Sequence, residues 1–183
     1  MTEAEDAALL RRAKSGEPRA FEALVKRHHR HLYFLILNLI HNHDDADELC
    51  QETFLRALEG LERFKGLSSF RTWLFRIGVN LALDLLRKRR RRVVLKKALA
   101  VKKRRSAPDA AISLEAAEVK TLVDEALKAL PPKQKAAFVL VVLGGLNYQE
   151  AAEALGVNRG TLGWLLHKAR IALRKKLRPI IQD

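Results

Sequence analysis

The chain has 183 residues, a formal net charge of +14 at pH 7 and an isoelectric point near 10.3, which indicate a polyanionic partner, most often nucleic acid. Its single cysteine, Cys50, excludes an internal disulfide and fits a reducing cytoplasm. The N-terminal segment lacks the positive start of a signal peptide, and the longest apolar run, residues 136–143, is too short for a membrane span. We therefore expect a cytoplasmic protein without membrane insertion.

The apolar periodicity predicts helices only, in two small domains joined by a basic linker. A first helix over residues 3–15 ends at Gly16, and a second begins near Pro18. A third covers residues 44–61, with acids in its first turns, where the helix dipole stabilises anions. We expect Leu58 to face inward on this helix. Gln51 and Glu52 lie beyond the first turn, so stabilisation of the helix start explains the presence of these two polar residues less well.

The fourth helix starts near residue 69 and runs into six consecutive cations at residues 87–92. Its aromatic residues Phe70 and Trp73 belong to an apolar stripe, which Arg71, Arg76 and Asn80 do not share. Two interpretations stay open: the aromatics are core, or they form a platform on which unpaired bases stack. In the second case, the preceding loop of residues 63–68 would close over a base turned out of its strand.

A basic segment follows, because residues 87–108 contain 12 cations and no acid. Such a run repels itself, which predicts an extended or fraying connector. We place a first domain at residues 1–92, the linker at 93–111 and a second domain at 112–183.

The second domain carries a helix-turn-helix signature. Asn147 and Glu150 have the spacing of a capping box, the helix that follows stops at Gly156, and Asn158 caps the next one. Cations follow along this last helix, which favours DNA contact.

The sequence also resembles a known family along nearly its whole length. The segments DELCQETF (residues 47–54) and SFRTWLFRIGVNLALD (residues 69–84) are the most specific, and ALPPKQKAAFVLVVLGGLNYQEAAEALGV follows in the expected order. They resemble small sigma factors of the sigma-70 family, of the extracytoplasmic-function (ECF) type. The resemblance implies a region-two domain, a region-four domain, core RNA polymerase and promoter DNA as partners, and an anti-sigma factor or another regulatory protein.

Residue roles follow from the resemblance. The residues implied in docking on core polymerase are Asp47, Glu48, Gln51 and Glu52. Those implied in melting and recognition of the −10 strand are Phe64, Lys65, Phe70, Arg71, Trp73, Arg76 and Asn80. Those implied in −35 recognition are Arg159, Thr161, Trp164, His167, Lys168 and Arg170.

The −35 helix departs from the family, because Gly163, Trp164 and Leu165 replace a run that often supplies two cations. Either Trp164 and Leu165 pack on the preceding helix, or an exposed indole changes DNA recognition or binds a protein partner. No clear quartet of metal ligands, no cofactor motif and no catalytic constellation is recognisable, so we predict neither an enzyme nor a cofactor. The alternative to a sigma factor is a stand-alone helix-turn-helix regulator, and a nucleic-acid-processing enzyme is favoured least.

Overall fold

The computed structural model describes residues 3–99 and 116–181, and this part of the chain is helical without a strand. Its α-helices are α1 (Glu3–Lys14), α2 (Pro18–Ile40), α3 (His43–Glu59), α4 (Phe70–Leu99), α5 (Ala116–Lys128), α6 (Pro132–Phe138), α7 (Tyr148–Leu155) and α8 (Arg159–Ile181). A 3-10 turn (Leu61–Arg63) follows α3, and a π-helical turn (Val139–Leu143) extends α6. The predicted all-α class is confirmed. No helix in the described ranges is long and apolar enough to cross a membrane.

Local hydrogen bonds define the ends of α7 and the start of α8 at the residues that the sequence predicts. Asn147 and Glu150 form the expected capping box, with backbone-to-side-chain distances of 2.8 and 3.0 Å. Gly156 ends α7 in the left-handed conformation, at φ 65°. The side chain of Asn158 accepts a hydrogen bond from the backbone N–H of Thr161 at 2.7 Å. These bonds satisfy backbone groups that helix ends leave unpaired, and they fix the turn between α7 and α8.

In the first domain, α4 packs on both α2 and α3. Gly78 makes this approach feasible, because a Cβ atom there would lie 2.9 Å from Leu32 Cδ1 and 3.3 Å from Thr53 Oγ1. Both neighbours belong to the buried interior. A larger residue at position 78 would require the Leu32 side chain or α4 itself to shift.

A second buried face of α4 was not predicted. Leu74 and Phe75 are both fully buried, although neighbouring residues of a helix point about 100° apart. The reason is that α7 packs on α4 from the second domain, so a single core includes residues of both domains. A smaller cluster between α5 and α8 completes the second domain.

Each domain contributes one cation that contacts a backbone carbonyl at a helix end of the other domain. Arg71 of the first domain donates a hydrogen bond to the carbonyl of Gly144, where the α6 segment ends. Lys135 of the second domain lies 3.4 Å from the carbonyl oxygen of Leu39, in the last turn of α2. Cations interact favourably with the negative end of a helix dipole. Lys135 is buried, and this burial lowers its pKa to about 8.

The basic segment departs from the prediction at its start. Helix α4 continues through the six cations to Leu99, so the expected extended connector is wrong for residues 87–99. Arg and Lys are good helix formers, and two ion pairs offset part of the repulsion. Arg87 pairs with Asp84 on α4, while Arg89 contacts both carboxylate oxygens of Asp45 at 2.5 and 2.6 Å. Residues 100–115 of the predicted linker lie outside the described residues.

The contact between the domains predicts acid sensitivity. Burial, with Lys135 nearby, lowers the pKa of His41 from 6.5 to about 4. Between these values the unfolded chain binds a proton that the folded chain does not, so stability falls as the pH falls from 6.5 to 4. After allowance for solvent screening, we expect His41 to account for roughly 1–2 kcal/mol of this loss.

Urea unfolding at both pH values measures the effect, with His41→Asn as the comparison. Asn has no group that titrates here and tolerates the left-handed backbone of this position, φ 53°. The variant should lose less stability than the parent on acidification. An equal loss in both proteins would show that His41 is not the titrating group.

Candidate nucleic-acid interface

Three aromatic side chains meet where α4 begins. The ring centroids of Phe64 and Trp73 are 4.8 Å apart, and those of Phe70 and Trp73 are 5.8 Å apart. Phe70 is buried and packs edge-on against His28, whereas Phe64 and Trp73 are half-buried. Phe70 is therefore a core residue, which was one interpretation of the aromatic pair. Trp73 keeps part of its surface in solvent, which the other interpretation, a platform for unpaired bases, requires.

The loop before α4 is fixed at both ends. Lys14 of α1 donates a hydrogen bond to the carbonyl of Phe64 at 2.7 Å. The side chain of Ser69 accepts one from the backbone N–H of Thr72 at 3.1 Å, which caps α4. Between these anchors Lys65 is exposed, and Leu67 is 89% exposed. The loop thus presents a cation and an apolar side chain beside the aromatic cluster.

Two cavities flank the aromatic cluster. One, of about 340 Å³, lies between α1 and the loop, with these lining residues: Glu3, Asp6, Ala7, Leu10, Phe64, Gly66, Leu67, Ser68, Ser69 and Phe70. The other, of about 370 Å³, is lined by Arg56, Gly60, Arg63, Trp73, Ile77 and Asn80. The first offers carboxylates and the second offers arginines, so the two cavities suit ligand groups of different charge.

A buried ion-pair network lies behind the first cavity. His28 Nε2 is 2.9 Å from Asp6 Oδ2, and Arg27 Nε is 3.2 Å from Asp6 Oδ1. Burial lowers the pKa of His28, although Asp6 opposes the shift, so a neutral imidazole donates its N–H to the carboxylate. The network ties α1 to α2. The sequence gives no sign of this pair, because residues 22 positions apart leave no local pattern.

The structure separates the predicted −10 residues into two groups. Arg76 and Asn80 are exposed on α4, and Asn80 lines the same cavity as Trp73. Arg71 is not with them, because its guanidinium contacts Gly144 and lies 5.2 Å from the ring centroid of Phe75. In this arrangement Arg71 serves the contact between the domains.

The acidic face of α3 is mostly free. Asp47, Glu48 and Gln51 are exposed, but Glu52 accepts a hydrogen bond from Arg56 Nε at 2.7 Å. Asn42, rather than an aspartate, caps the helix by accepting from the backbone N–H of Asp45 at 2.9 Å.

Two leucines extend the same helix face. The expectation that Leu58 faces inward is wrong, because it is 50% exposed, and Leu55 is 57% exposed. They stand one to two turns beyond Gln51, so the exposed surface of α3 is acidic at one end and apolar at the other.

The helix-turn-helix presents all six of its predicted DNA residues to solvent. The exposed members are Arg159, Thr161, Trp164, His167, Lys168 and Arg170. Leu165 is buried, whereas Trp164 is 56% exposed, and Lys168 Nζ lies 5.9 Å from its ring centroid. Packing on the interior, one of the two interpretations of this pair, therefore holds for Leu165. The other interpretation, an exposed indole, holds for Trp164.

No group of three or more His, Cys, Asp or Glu residues within the described ranges is arranged to hold a metal ion. Cys50 is buried on α3, and burial raises the pKa of its thiol to about 12.

Two family models match the chain. The Sigma-70 region 2 model matches residues 24–92, and the Sigma-70, region 4 model matches residues 120–173. The RNA polymerase sigma-H factor of Pseudomonas aeruginosa is 30% identical over 193 residues, covering 100% of this chain and 99% of the relative. The ECF RNA polymerase sigma factor SigW of Bacillus subtilis is 31% identical, covering 93% and 96%.

Solved structures agree with this assignment. CnrH in complex with the cytosolic domain of CnrY is similar with a TM-score of 0.73 and 28% identity, covering 96% of this chain and 98% of that one. The sigma factor RpoE from Bartonella quintana, bound to the anti-sigma factor NepR, has a TM-score of 0.68 and 26% identity, covering 86% and 96%. With family models on both domains and full-length relatives at this identity, the chain belongs to the sigma-70 family of RNA polymerase sigma factors, in its ECF group.

Proposed function

We propose that this sigma factor docks on core RNA polymerase through α3 and places α4 and α8 on promoter DNA. The observation that carries the proposal is the adjacency of two unlike surfaces in one domain. An acidic and apolar face lies on α3, and an aromatic and basic face lies on the neighbouring α4. Such a pair can hold a basic protein and a nucleic acid side by side. A stand-alone helix-turn-helix regulator would need only the second domain.

The docking surface that we propose consists of Asp47, Glu48 and Gln51, with Leu55 and Leu58 at its apolar end. Carboxylates favour a basic partner, and exposed leucines on one helix face gain free energy when a partner covers them.

For the −10 strand, we propose that Trp73 and Phe64 stack with unpaired bases while Lys65, Arg76 and Asn80 contact the strand. Stacking on an aromatic ring contributes about 1–3 kcal/mol per base and tolerates any base. Such stacking would offset part of the free-energy cost of opening a duplex against α4.

For the −35 element, we propose that α8 lies in the major groove and that Arg159, Lys168 and Arg170 contact phosphates. Trp164 occupies a position from which a side chain would approach the base edges.

We further propose a cytoplasmic protein that is controlled by an anti-sigma partner, because the similar RpoE is bound to one. No catalytic role is assigned to any residue, since the polymerase supplies the chemistry of transcription.

The docking proposal predicts the effect of a charge reversal on α3. Asp47→Lys with Glu48→Lys should weaken binding to core polymerase at least tenfold, because like charges would then meet, and the circular dichroism should stay unchanged. Glu22→Lys with Glu125→Lys makes the same change of net charge on exposed positions elsewhere and should leave binding near the parent value. Equal affinities of parent and α3 variant for core polymerase would refute the assignment.

The second prediction concerns promoter melting. Arg76→Ala with Asn80→Ala truncates two exposed side chains, so folding should be spared. The amount of melted promoter, measured by permanganate reactivity of thymines in the polymerase complex, should fall several-fold, while polymerase binding changes little. Arg30→Ala removes an exposed cation from α2 and serves as the control. Normal melting by the double variant would transfer this role to another surface.

The third prediction concerns Trp164. Substituting Arg159, Lys168 and Arg170 together by Ala should make the log–log salt slope of duplex binding by the full chain shallower by about 2.7, because three phosphate contacts are lost. Selection from randomised duplexes should give only weak sequence preference. Trp164→Ala should change that preference no more than Ile171→Ala, which removes another exposed apolar side chain of α8. A strong preference that Trp164→Ala abolishes would show instead that the indole recognises bases, by apolar contact with thymine methyl groups for example.

A further inference from the structure

Helix α8 has apolar side chains on two faces. Leu162 and Leu166 are buried and hold the helix in the second domain. Trp164 and Ile171, by contrast, are 56% and 52% exposed. Seven residues make nearly two helical turns, so these two side chains lie on one face, about 10.5 Å apart along the axis. We call this pair, with the exposed Lys168 between its members, the Trp164 patch.

The surroundings of the Trp164 patch are cationic. Helix α8 contains seven arginines and lysines and no acidic residue. Lys168 Nζ lies 5.9 Å from the ring centroid of Trp164, and Lys175, one turn beyond Ile171, is exposed. A cation near an indole is attracted to the ring, so the ammonium group of Lys168 stays beside the patch. This rim repels a second copy of the chain, which has a net charge of +14, and attracts an acidic partner.

Two glycines leave one flank of the indole open. A Cβ atom at Gly163 would meet no surrounding heavy atom within 4 Å, and one at Gly160 would meet Asn158 Oδ1 at 3.4 Å. Around the helix, both glycines lie on the same side of Trp164 as Ile171. Small residues let two helices approach each other closely. The surface beside the patch therefore has room for a partner helix.

DNA recognition does not account for the Trp164 patch. Base edges are contacted by the N-terminal residues of a recognition helix, but Ile171 is the thirteenth residue of α8. Phosphates are contacted by cations and polar groups, so an exposed isoleucine contributes nothing to them. Trp164 also belongs to the run in which this chain departs from the family. The patch is thus a feature of this chain.

We propose that the Trp164 patch binds an amphipathic helix of a regulatory protein, with acidic residues beside its apolar face. Apolar side chains three, four or seven residues apart on that helix cover Trp164 and Ile171. Its carboxylates pair with Lys168 and Lys175. Tryptophan is among the residues that most often dominate the binding energy of an interface. The bound helix also excludes duplex DNA from α8, and this consequence alone rests on the proposed function.

The first experiment selects binders with the full chain as bait. The probe is a displayed library of helical peptides of about 14 residues, or four turns, with each position randomised among Glu, Lys, Ala, Leu and Phe. Counter-selection uses the variant Trp164→Ala with Ile171→Ala. Acidic peptides with apolar residues at helical spacing should be enriched on the parent alone. Enrichment without that spacing, or equal enrichment on both baits, would overturn the proposal.

The second experiment measures the affinity of one enriched peptide by fluorescence anisotropy. Trp164→Ala with Ile171→Ala should weaken binding at least tenfold, because the apolar contacts are lost. Phe34→Ala with Leu122→Ala removes an aromatic and an aliphatic side chain elsewhere, 50% and 42% exposed, and should stay within twofold of the parent. Circular dichroism checks that both variants are folded. Equal losses in the two variants would show that the peptide does not bind at the patch.

A second copy of the chain is the competing occupant. Sedimentation should show a monomeric parent at the concentrations of the peptide titrations. A dimer that Trp164→Ala with Ile171→Ala abolishes would contradict the proposal and identify the patch as an interface between copies.

The third experiment tests whether the bound peptide excludes DNA. The enriched peptide should displace a labelled duplex from the parent, whereas polyglutamate of equal charge should require at least a tenfold higher concentration. Equal displacement by the two acidic probes would show competition by charge alone. Simultaneous binding of peptide and duplex would refute the proposed effect on α8.

The same titrations distinguish this proposal from the proposed function. Ile171→Ala should weaken peptide binding at least fivefold but leave duplex affinity within twofold, because it removes no phosphate-contacting cation. An equal loss of both affinities would assign the Trp164 patch to DNA. A parent that binds the peptide but no duplex would instead count against the −35 contact and leave the docking site standing.

Discussion

The burial of α4 on two sides is the constraint on which the other features depend. Gly78 brings one side of the helix against α2 and α3, and Phe75 on another side enters a core shared with the second domain. A fully buried side chain such as Phe75 contributes about 1.5–3 kcal/mol to the stability of the fold. Rotation of α4 about its axis would lose this contribution, so the helix is fixed in orientation. The strip that remains exposed, with Arg76 and Asn80, is therefore presented in a fixed orientation beside Trp73.

The same helix divides its cations between two tasks. Arg71 caps the end of a helix segment in the second domain, while Lys135 approaches the end of α2 in return. Further along, Arg89 binds Asp45, which joins the basic end of α4 to the start of the acidic helix α3. These pairs hold the polymerase-facing and DNA-facing surfaces that we propose at fixed positions relative to each other. Any rearrangement that separates the domains would free Arg71 and expose Phe75.

Much of the fold could be predicted from sequence, because helix periodicity, proline at helix starts, glycine at helix ends and capping spacings act over a few residues. The capping box at Asn147 and the helix-turn-helix are of this kind. Contacts between distant residues could not be predicted, and these include the Asp6–His28 pair and the burial of Lys135. Leu58 was expected inside because apolar residues usually are, whereas an exposed leucine is explained only by the surface around it. The candidate DNA residues on α4 and α8 followed from the family resemblance, whereas the cavity lined by Arg56, Arg63 and Trp73 required coordinates.

Run-off transcription tests the central claim, that this chain directs core polymerase to promoters, most directly. Purified core enzyme is given fragmented genomic DNA with or without the protein, and the 5′ ends of the transcripts are sequenced. Discrete start sites that share sequence elements upstream should appear only when the protein is present. Sequence-specific duplex binding by the protein alone, with no new start sites when core polymerase is present, would contradict this claim and favour a stand-alone helix-turn-helix regulator.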